Sequence, residues 1–209
     1  MNCSFGIITD GNCDSRVEEI VSSIVAEQIL HYEVLIVGPS KLTNTEHLKV
    51  IHWPEFEFLP TKPDLGWITK KKNIIAQEAQ YDHVVFMHDY FQLQPGWYNG
   101  WNQFYRENEF EIATNYIFTP EGGRHSDWVL SPYDIWELFP EAKGNWDMLL
   151  PPDVVNLTRF MYISGGYWVS TREFARKYPQ LEQYGWGESE DVYWSQKIRK
   201  HTKFQFNPH

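Results

Sequence analysis

The sequence has 209 residues, 42% hydrophobic and 22% charged, an ordinary balance for one globular domain with a substantial core. Its formal net charge of −10 argues against nonspecific binding to nucleic acid or to an anionic membrane, since both need a basic face. Cys3 and Cys13 are the two cysteines, too few for a disulfide framework and consistent with a reducing compartment.

The opening lacks a charged-then-apolar signal pattern and no apolar run approaches ~18 residues, which predicts no transmembrane segment and a cytoplasmic chain. Sequons at Asn2 and Asn156 matter only in a secreted protein. The 10 Trp, 12 Tyr and 13 Phe read either as an aromatic core or as faces that stack on a flat ligand.

Ser4 to Gly11 is an apolar run closed by turn residues, a buried strand. Ser15-Arg16-Val17-Glu18 reads as a capping box, followed by Val17, Ile20, Val21, Ile24 and Val25 at helical spacing. Glu33 to Gly38 is a second strand and Lys49 to Trp53 a short third, and the strand-helix-strand order predicts a parallel sheet. A helix over Thr69 to Gln80 turns Ile74, Ile75 and Ala79 inward, and Tyr81 to Met87 is a central strand running into His88-Asp89-Tyr90.

Further on, Trp97 to Tyr105 predicts a helix and Glu111 to Phe118 a strand. Residues 120–160 read as a long excursion with little regular structure, of the kind that tends to be functional. Met161 to Ser164 predicts a strand, Ser170 to Tyr178 a capped helix stopped by Pro179, Glu190 to Lys200 a last helix and Lys203 to Phe206 a closing strand.

Ligands in open α/β sheets lie beyond the carboxyl ends of the strands, so the chemistry is sought there. Lys70-Lys71-Lys72 opens a helix, where cations oppose the macrodipole. A diphosphate nearby would remove the conflict; so would simple solvation of the lysines. His88-Asp89 would hold a divalent metal bridging two phosphates, or is a satisfied polar pair. In Trp186-Gly187-Glu188-Ser189-Glu190-Asp191 the carboxylates either favour a helix dipole or supply a general base. His125, beside Arg124 and Asp127, is a further candidate ligand or a surface histidine.

Several segments together resemble the GT-A fold glycosyltransferases, in order and over nearly the whole chain. Phe5 to Gly11 looks like the family's nucleotide-binding strand. Trp67 to Glu78 (WITKKKNIIAQE), with Asn73, is similar to the helix before its metal site, and Tyr81 to Trp97 (YDHVVFMHDYFQLQPGW) to its strand, aspartate motif and Pro-Gly-Trp. Gly165-Gly166-Tyr167-Trp168 and Trp186 to Val192 resemble its acceptor-side segment and Trp-Gly-x-x-Glu-Asp motif. One position departs: Tyr90 stands where the family's metal-binding aspartate is expected.

The resemblance implies one GT-A domain over residues 1–209, a nucleotide-binding half over about 1–97 and an acceptor-side half over about 98–209, on a mixed, mostly parallel sheet flanked by helices. It implies transfer of a hexose-like sugar from a nucleoside diphosphate sugar, in the first place a UDP-sugar, to a glycan or other hydroxyl acceptor, with inversion. Thr9, Asp10 and Gly11 would meet the base. Lys70 or Lys72 and Asn73 would meet the diphosphate, with Asp89 holding Mn2+ or Mg2+ and His88 assisting, or with metal dependence weakened by Tyr90; His125 stays a further candidate ligand on its own neighbourhood. Gly165 and Gly166 would admit the donor, Trp186 would stack on a sugar, Asp191 would be the base and Glu190 would orient a substrate. Outside this family, a nucleotidyltransferase would carry a glycine-rich basic loop where this chain has Asp10-Gly11-Asn12-Cys13-Asp14. A noncatalytic carbohydrate-binding protein would explain the tryptophans but not the lysine run.

Overall fold

The computed structural model describes residues 1–144, 148–154 and 157–209; the sequon at Asn156 lies outside the described residues. β1 (Cys3–Ile8), wholly buried, leads to α1 (Asp14–Ala26), β2 (Tyr32–Val37) and β3 (Leu48–Ile51). A small antiparallel hairpin, β4 (Phe58–Leu59) and β5 (Lys62–Gly66), precedes α2 (Ile68–Glu78) and β6 (His83–His88). α3 (Trp97–Glu107) and β7 (Ile112–Asn115) follow. β8 (Val129–Leu130), α4 (Pro132–Leu138) and β9 (Met161–Tyr162) precede β10 (Tyr167–Thr171), α5 (Arg172–Lys177), α6 (Glu190–Ile198) and β11 (Gln205–Asn207).

The main sheet has seven strands in the order β11-β7-β10-β6-β1-β2-β3. β10 runs antiparallel to β6 and β7, and the remaining neighbours pair in parallel. α1 and α3 cover one face through Val17, Ile20, Ile24, Trp97, Trp101 and Phe104. α2, α5 and α6 cover the other through Ile75, Phe174 and Trp194. Trp128 and Trp168 are also buried in that second layer, while Trp186 and Trp53 stay exposed, so the aromatic excess is divided between core and surface.

Several expectations change. The capping box is not formed: α1 starts at Asp14, so Ser15 lies inside the helix, and Cys13 at the N-cap makes no side-chain cap bond. Asp14 instead accepts from Ser40 Oγ at 2.8 Å and from the Lys41 N–H. Val25 faces solvent, because the buried stripe is Val17, Ile20, Ile24. Ser170 belongs to β10, not to a helix: Tyr167–Thr171 is an aromatic and β-branched run that fits a buried strand. Thr171 caps α5, its Oγ1 accepting from the Phe174 N–H at 3.2 Å.

The 120–160 excursion also carries regular structure among its described residues. Pro132 begins α4, where the missing N–H costs nothing. The Arg199 guanidinium grips Asp134 with two bonds of 2.9 and 2.7 Å and pins α4 to the end of α6. Met161 lies in the small β8–β9 sheet instead of the main one.

Gly6 shows how closely α2 lies on β1: a Cβ there would come within 2.2 Å of Ile75 Cγ2. Gly6→Ala should therefore destabilise by about 1–3 kcal/mol in denaturant titration. Gly6→Ala combined with Ile75→Ala, which removes Cγ2, should cost less than the two single variants added together; fully additive losses would contradict the contact.

Candidate active site

The polarity of the sheet brings three chain segments to one edge. β1 and β6 end there with Ile8 and His88, and β10, running the other way, begins there after Gly165-Gly166. The Asp89 N–H donates to the Ile8 carbonyl at 3.1 Å and the His88 N–H to the Gly166 carbonyl at 3.0 Å. Thr9 Oγ1 donates to Asp89 Oδ2 at 2.8 Å and accepts from the Gly11 N–H at 3.0 Å, which locks the loop after β1 to the end of β6. Asp89 Oδ1 accepts no bond among the described residues. Asp10 is exposed and its two oxygens hold Asn12, through the N–H at 2.9 Å and the side-chain amide at 2.8 Å.

α6 brings in the carboxylates. Asp191 Oδ2 accepts from the Gly165 N–H at 2.8 Å and Oδ1 from the Val192 N–H at 2.8 Å. A side chain on Gly165 would meet Glu190 Oε1 at 2.9 Å and Asp191 at 3.2 Å, and one on Gly166 would meet the Phe91 ring at 2.5 Å. Gly165 must be glycine because α6 approaches it so closely, and Gly166 because the Phe91 ring packs against it. Burial, then the neighbouring Glu190 charge, pushes the Asp191 carboxyl up to about 6, against the pull of Lys72 and the two N–H groups.

The lysines resolve differently from the sequence expectation. Each meets a carboxylate of the chain itself: Lys70 with Glu182 at 3.2 Å, Lys71 with Glu57 at 2.6 Å, Lys72 with Glu190 at 3.4 Å. Lys71 also donates to the Thr9 carbonyl at 2.8 Å. The Lys72 side chain is wholly buried, its Nζ 5.0 Å from the Trp168 ring centre. Lys70 lies over the Phe56 and Trp67 rings. Asn73 exchanges hydrogen bonds with the Gln180 backbone at 2.7 and 3.1 Å. Lys70 and Asn73 thus hold the 180–182 segment, whereas Lys72 reaches the carboxylates of α6.

His88 is buried, with Nε2 lacking a partner. Burial, with the charges of Lys72 and Lys71, pushes its imidazole down to about 3, so it stays neutral. His125 is anchored elsewhere, its N–H on the Ile117 carbonyl at 2.9 Å and its neighbour Arg124 paired with buried Asp127. No group of three His, Cys, Asp or Glu side chains able to cage a metal occurs among the described residues, so His88, Asp89 and His125 do not form one cluster.

Trp186 is 61% exposed, and its backbone N–H is held by the Gly66 carbonyl of the β4–β5 hairpin at 2.9 Å. Lys62 pairs with Glu188 across the same junction. Two groups have no site role in the sequence reading, Arg16 and Tyr90, the second entering it only as a departure from the family motif. Arg16, on the first turn of α1, interacts first with the Cys13 thiol, forms no ion pair among the described residues and lies within electrostatic reach of Asp89 and Asp10. Tyr90 is 56% exposed; burial, then Asp89, Glu190 and Asp191, raises its phenol above the ordinary value. For Arg16, the signal was its place just after the strand-ending loop.

No family model and no curated protein matches the sequence. Solved structures match the fold. The crystal structure of S. aureus TarS, a glycosyltransferase, aligns at a TM-score of 0.66 and 12% identity over 100% of this chain and 35% of that one. TarS 1–349 aligns at 0.64 and 11% over 99% and 58%. TarS 1–349 in complex with UDP-GlcNAc aligns at 0.63 and 12% over 99% and 56%. The chain spans at most 58% of these proteins. The mixed sheet with its single reversed strand is thus the GT-A-like fold that the sequence motifs resembled. No helix among the described residues is long and apolar enough to cross a membrane.

Removing one member of a buried ion pair leaves the other charged and uncompensated, at a cost of about 3–5 kcal/mol. Lys72→Met should lose stability on that scale in denaturant unfolding. Lys72→Met with Glu190→Gln should recover most of it, and equal losses in both variants would show that the pair does not exist in solution.

Proposed function

We propose that the chain transfers a sugar from a nucleoside diphosphate sugar to an acceptor hydroxyl, with inversion at the anomeric carbon. The observation that carries this reading is Asp191, a carboxylate pushed up to about 6 at the strand edge where the Thr9–Asp89 and Gly165–Gly166 segments meet. A base poised near neutrality suits general-base work at neutral pH. The fold likeness to a glycosyltransferase whose structures include complexes with UDP and with UDP-GlcNAc supports a UDP-sugar as donor. A hexose is the sugar class the motif resemblance favours, and a glycan or other polyol the acceptor class.

In this reading Asp191 takes the proton of the acceptor hydroxyl. The freed oxygen attacks the anomeric carbon, and the bond from that carbon to the diphosphate oxygen breaks, releasing the nucleoside diphosphate. Glu190, held by Lys72, orients a substrate hydroxyl, and Gly165 and Gly166 leave room for the donor. Thr9, Asp10 and Gly11 line the base side and Trp186 offers an exposed ring to a sugar face. Lys70 and Asn73 support the 180–182 segment instead of touching the donor.

The free Oδ1 of Asp89 fits a hard cation such as Mn2+ or Mg2+ shared with the diphosphate. Such a cation would neutralise charge building on the leaving group. His88, held neutral with its Nε2 unpartnered, would be the assisting ligand.

A panel of nucleoside diphosphate sugars, with and without Mn2+, tests the reading through donor hydrolysis and thermal shift. Release of pyrophosphate from nucleoside triphosphates would favour a nucleotidyltransferase instead. Sugar binding with no response to any nucleotide would favour a noncatalytic lectin-like protein.

Two outcomes are expected for Asp191. Asp191→Asn should lower turnover by at least about a hundredfold while UDP affinity stays within about twofold of the parent. In the parent the rate should fall as pH drops through about 6, because the base must be ionised. A rate that stays flat down to pH 4.5 would remove Asp191 from the proton transfer.

A further inference from the structure

Among the polar groups at this strand edge, most are committed within the chain. The Thr9 hydroxyl is on Asp89, Lys71 on Glu57 and the Thr9 carbonyl, Lys72 on Glu190, and both Asp191 oxygens accept backbone N–H groups. The Tyr90 hydroxyl differs: it makes no hydrogen bond to any described residue, although its ring is firmly placed. The ring stands edge-on to His88 with centres 5.3 Å apart and tilts against Phe91 at 4.9 Å. Its hydroxyl lies 3.4 Å from the point a Cβ on Gly166 would occupy. An uncommitted O–H is therefore held over the Gly165–Gly166 turn, beside Asp89 in sequence and near Asp191 through their shared contact with that turn.

A phenol at neutral pH is a neutral donor as well as an acceptor. Facing carboxylates it adds no negative charge, so it can meet an anionic ligand that they would repel. We propose that the Tyr90 hydroxyl donates a hydrogen bond to a phosphate oxygen of the donor's diphosphate, making Tyr90 a donor-binding residue. The proposal rests on the nucleoside diphosphate sugar reading above and adds a residue to it. Its corollary concerns the cation: a carboxylate at position 90 would add a second hard oxygen ligand beside Asp89, which the phenol does not supply as readily.

The test compares uridine and UDP by calorimetry on the full chain. Tyr90→Phe keeps the ring contacts with His88 and Phe91 and removes only the hydroxyl. It should weaken UDP about tenfold to a hundredfold, the range for a hydrogen bond to a charged group, and leave uridine affinity and the melting temperature unchanged. Tyr90→Asp should tighten Mn2+ binding in the presence of UDP, read by the electron paramagnetic resonance signal of free Mn2+. UDP affinity equal in the parent and Tyr90→Phe would overturn the role of Tyr90 and leave the glycosyltransferase reading standing. Loss of uridine and UDP binding in equal proportion would also overturn it, as a packing effect. A parent protein that binds no UDP would remove this proposal together with a UDP donor.

Discussion

A fully buried lysine ammonium, Lys72, organises this edge of the molecule. It lies between the Glu190 carboxylate and the face of Trp168, and so ties α2, α6 and β10 at one point. Burying two charges is favourable only when geometry and further contacts offset the lost hydration. Here the Trp168 ring, itself stacked on Phe86 at 4.7 Å and tilted against Trp194 at 5.6 Å, closes off water on one side. Next to Glu190 on the first turn of α6, Asp191 accepts from the Gly165 N–H. The site is assembled by a core contact as much as by its own hydrogen bonds.

The reversed strand is the second constraint. In a wholly parallel sheet the start of β10 would lie at the far edge from the ends of β1 and β6. Running antiparallel between β6 and β7, it delivers Gly165 and Gly166 beside Asp89. The close approach of α6 then excludes any side chain at Gly165. The result is an acidic edge in which Asp10, Asp89, Glu190 and Asp191 outnumber the uncommitted cations. An incoming diphosphate would meet repulsion there unless Arg16, a hydroxyl donor or a bound cation intervenes.

Much of this was legible in the sequence because it was periodic or carried motifs in order. The strands ending at Ile8 and His88, the helices carrying Lys72 and Asp191, and their gathering at one sheet edge all follow from apolar runs and the strand-end rule. β10 is hard to read because its five residues, Tyr-Trp-Val-Ser-Thr, follow two glycines and end in the Ser and Thr that also suit a helix cap. The lysine run misled for a subtler reason. Ile68, Lys71, Lys72, Ile75 and Ala79 fall on one helical stripe, so two of the three lysines had to point inward and needed partners inside the protein. Those partners, Glu57 and Glu190, are far away in sequence, and no local pattern reveals them. The helix-dipole conflict was real; the anions that relieve it belong to the chain.

In the proposed mechanism Asp191 sets stability against chemistry. Its carboxyl is raised in the folded protein, from an ordinary value of 3.8 to about 6. The sign follows directly: the folded state binds this proton more tightly than the unfolded chain does. Its contribution therefore favours folding at low pH and declines as pH rises from 3.8 through about 6. At neutral pH the ionised form that a base requires is the form the fold favours less. Lys72 and the N–H groups of Gly165 and Val192 offset that cost only in part, and complete compensation would return the carboxylate to ordinary acidity and weaken it as a base. For the proposed general base, a site that stabilised Asp191 fully would be a better ion pair and a poorer catalyst.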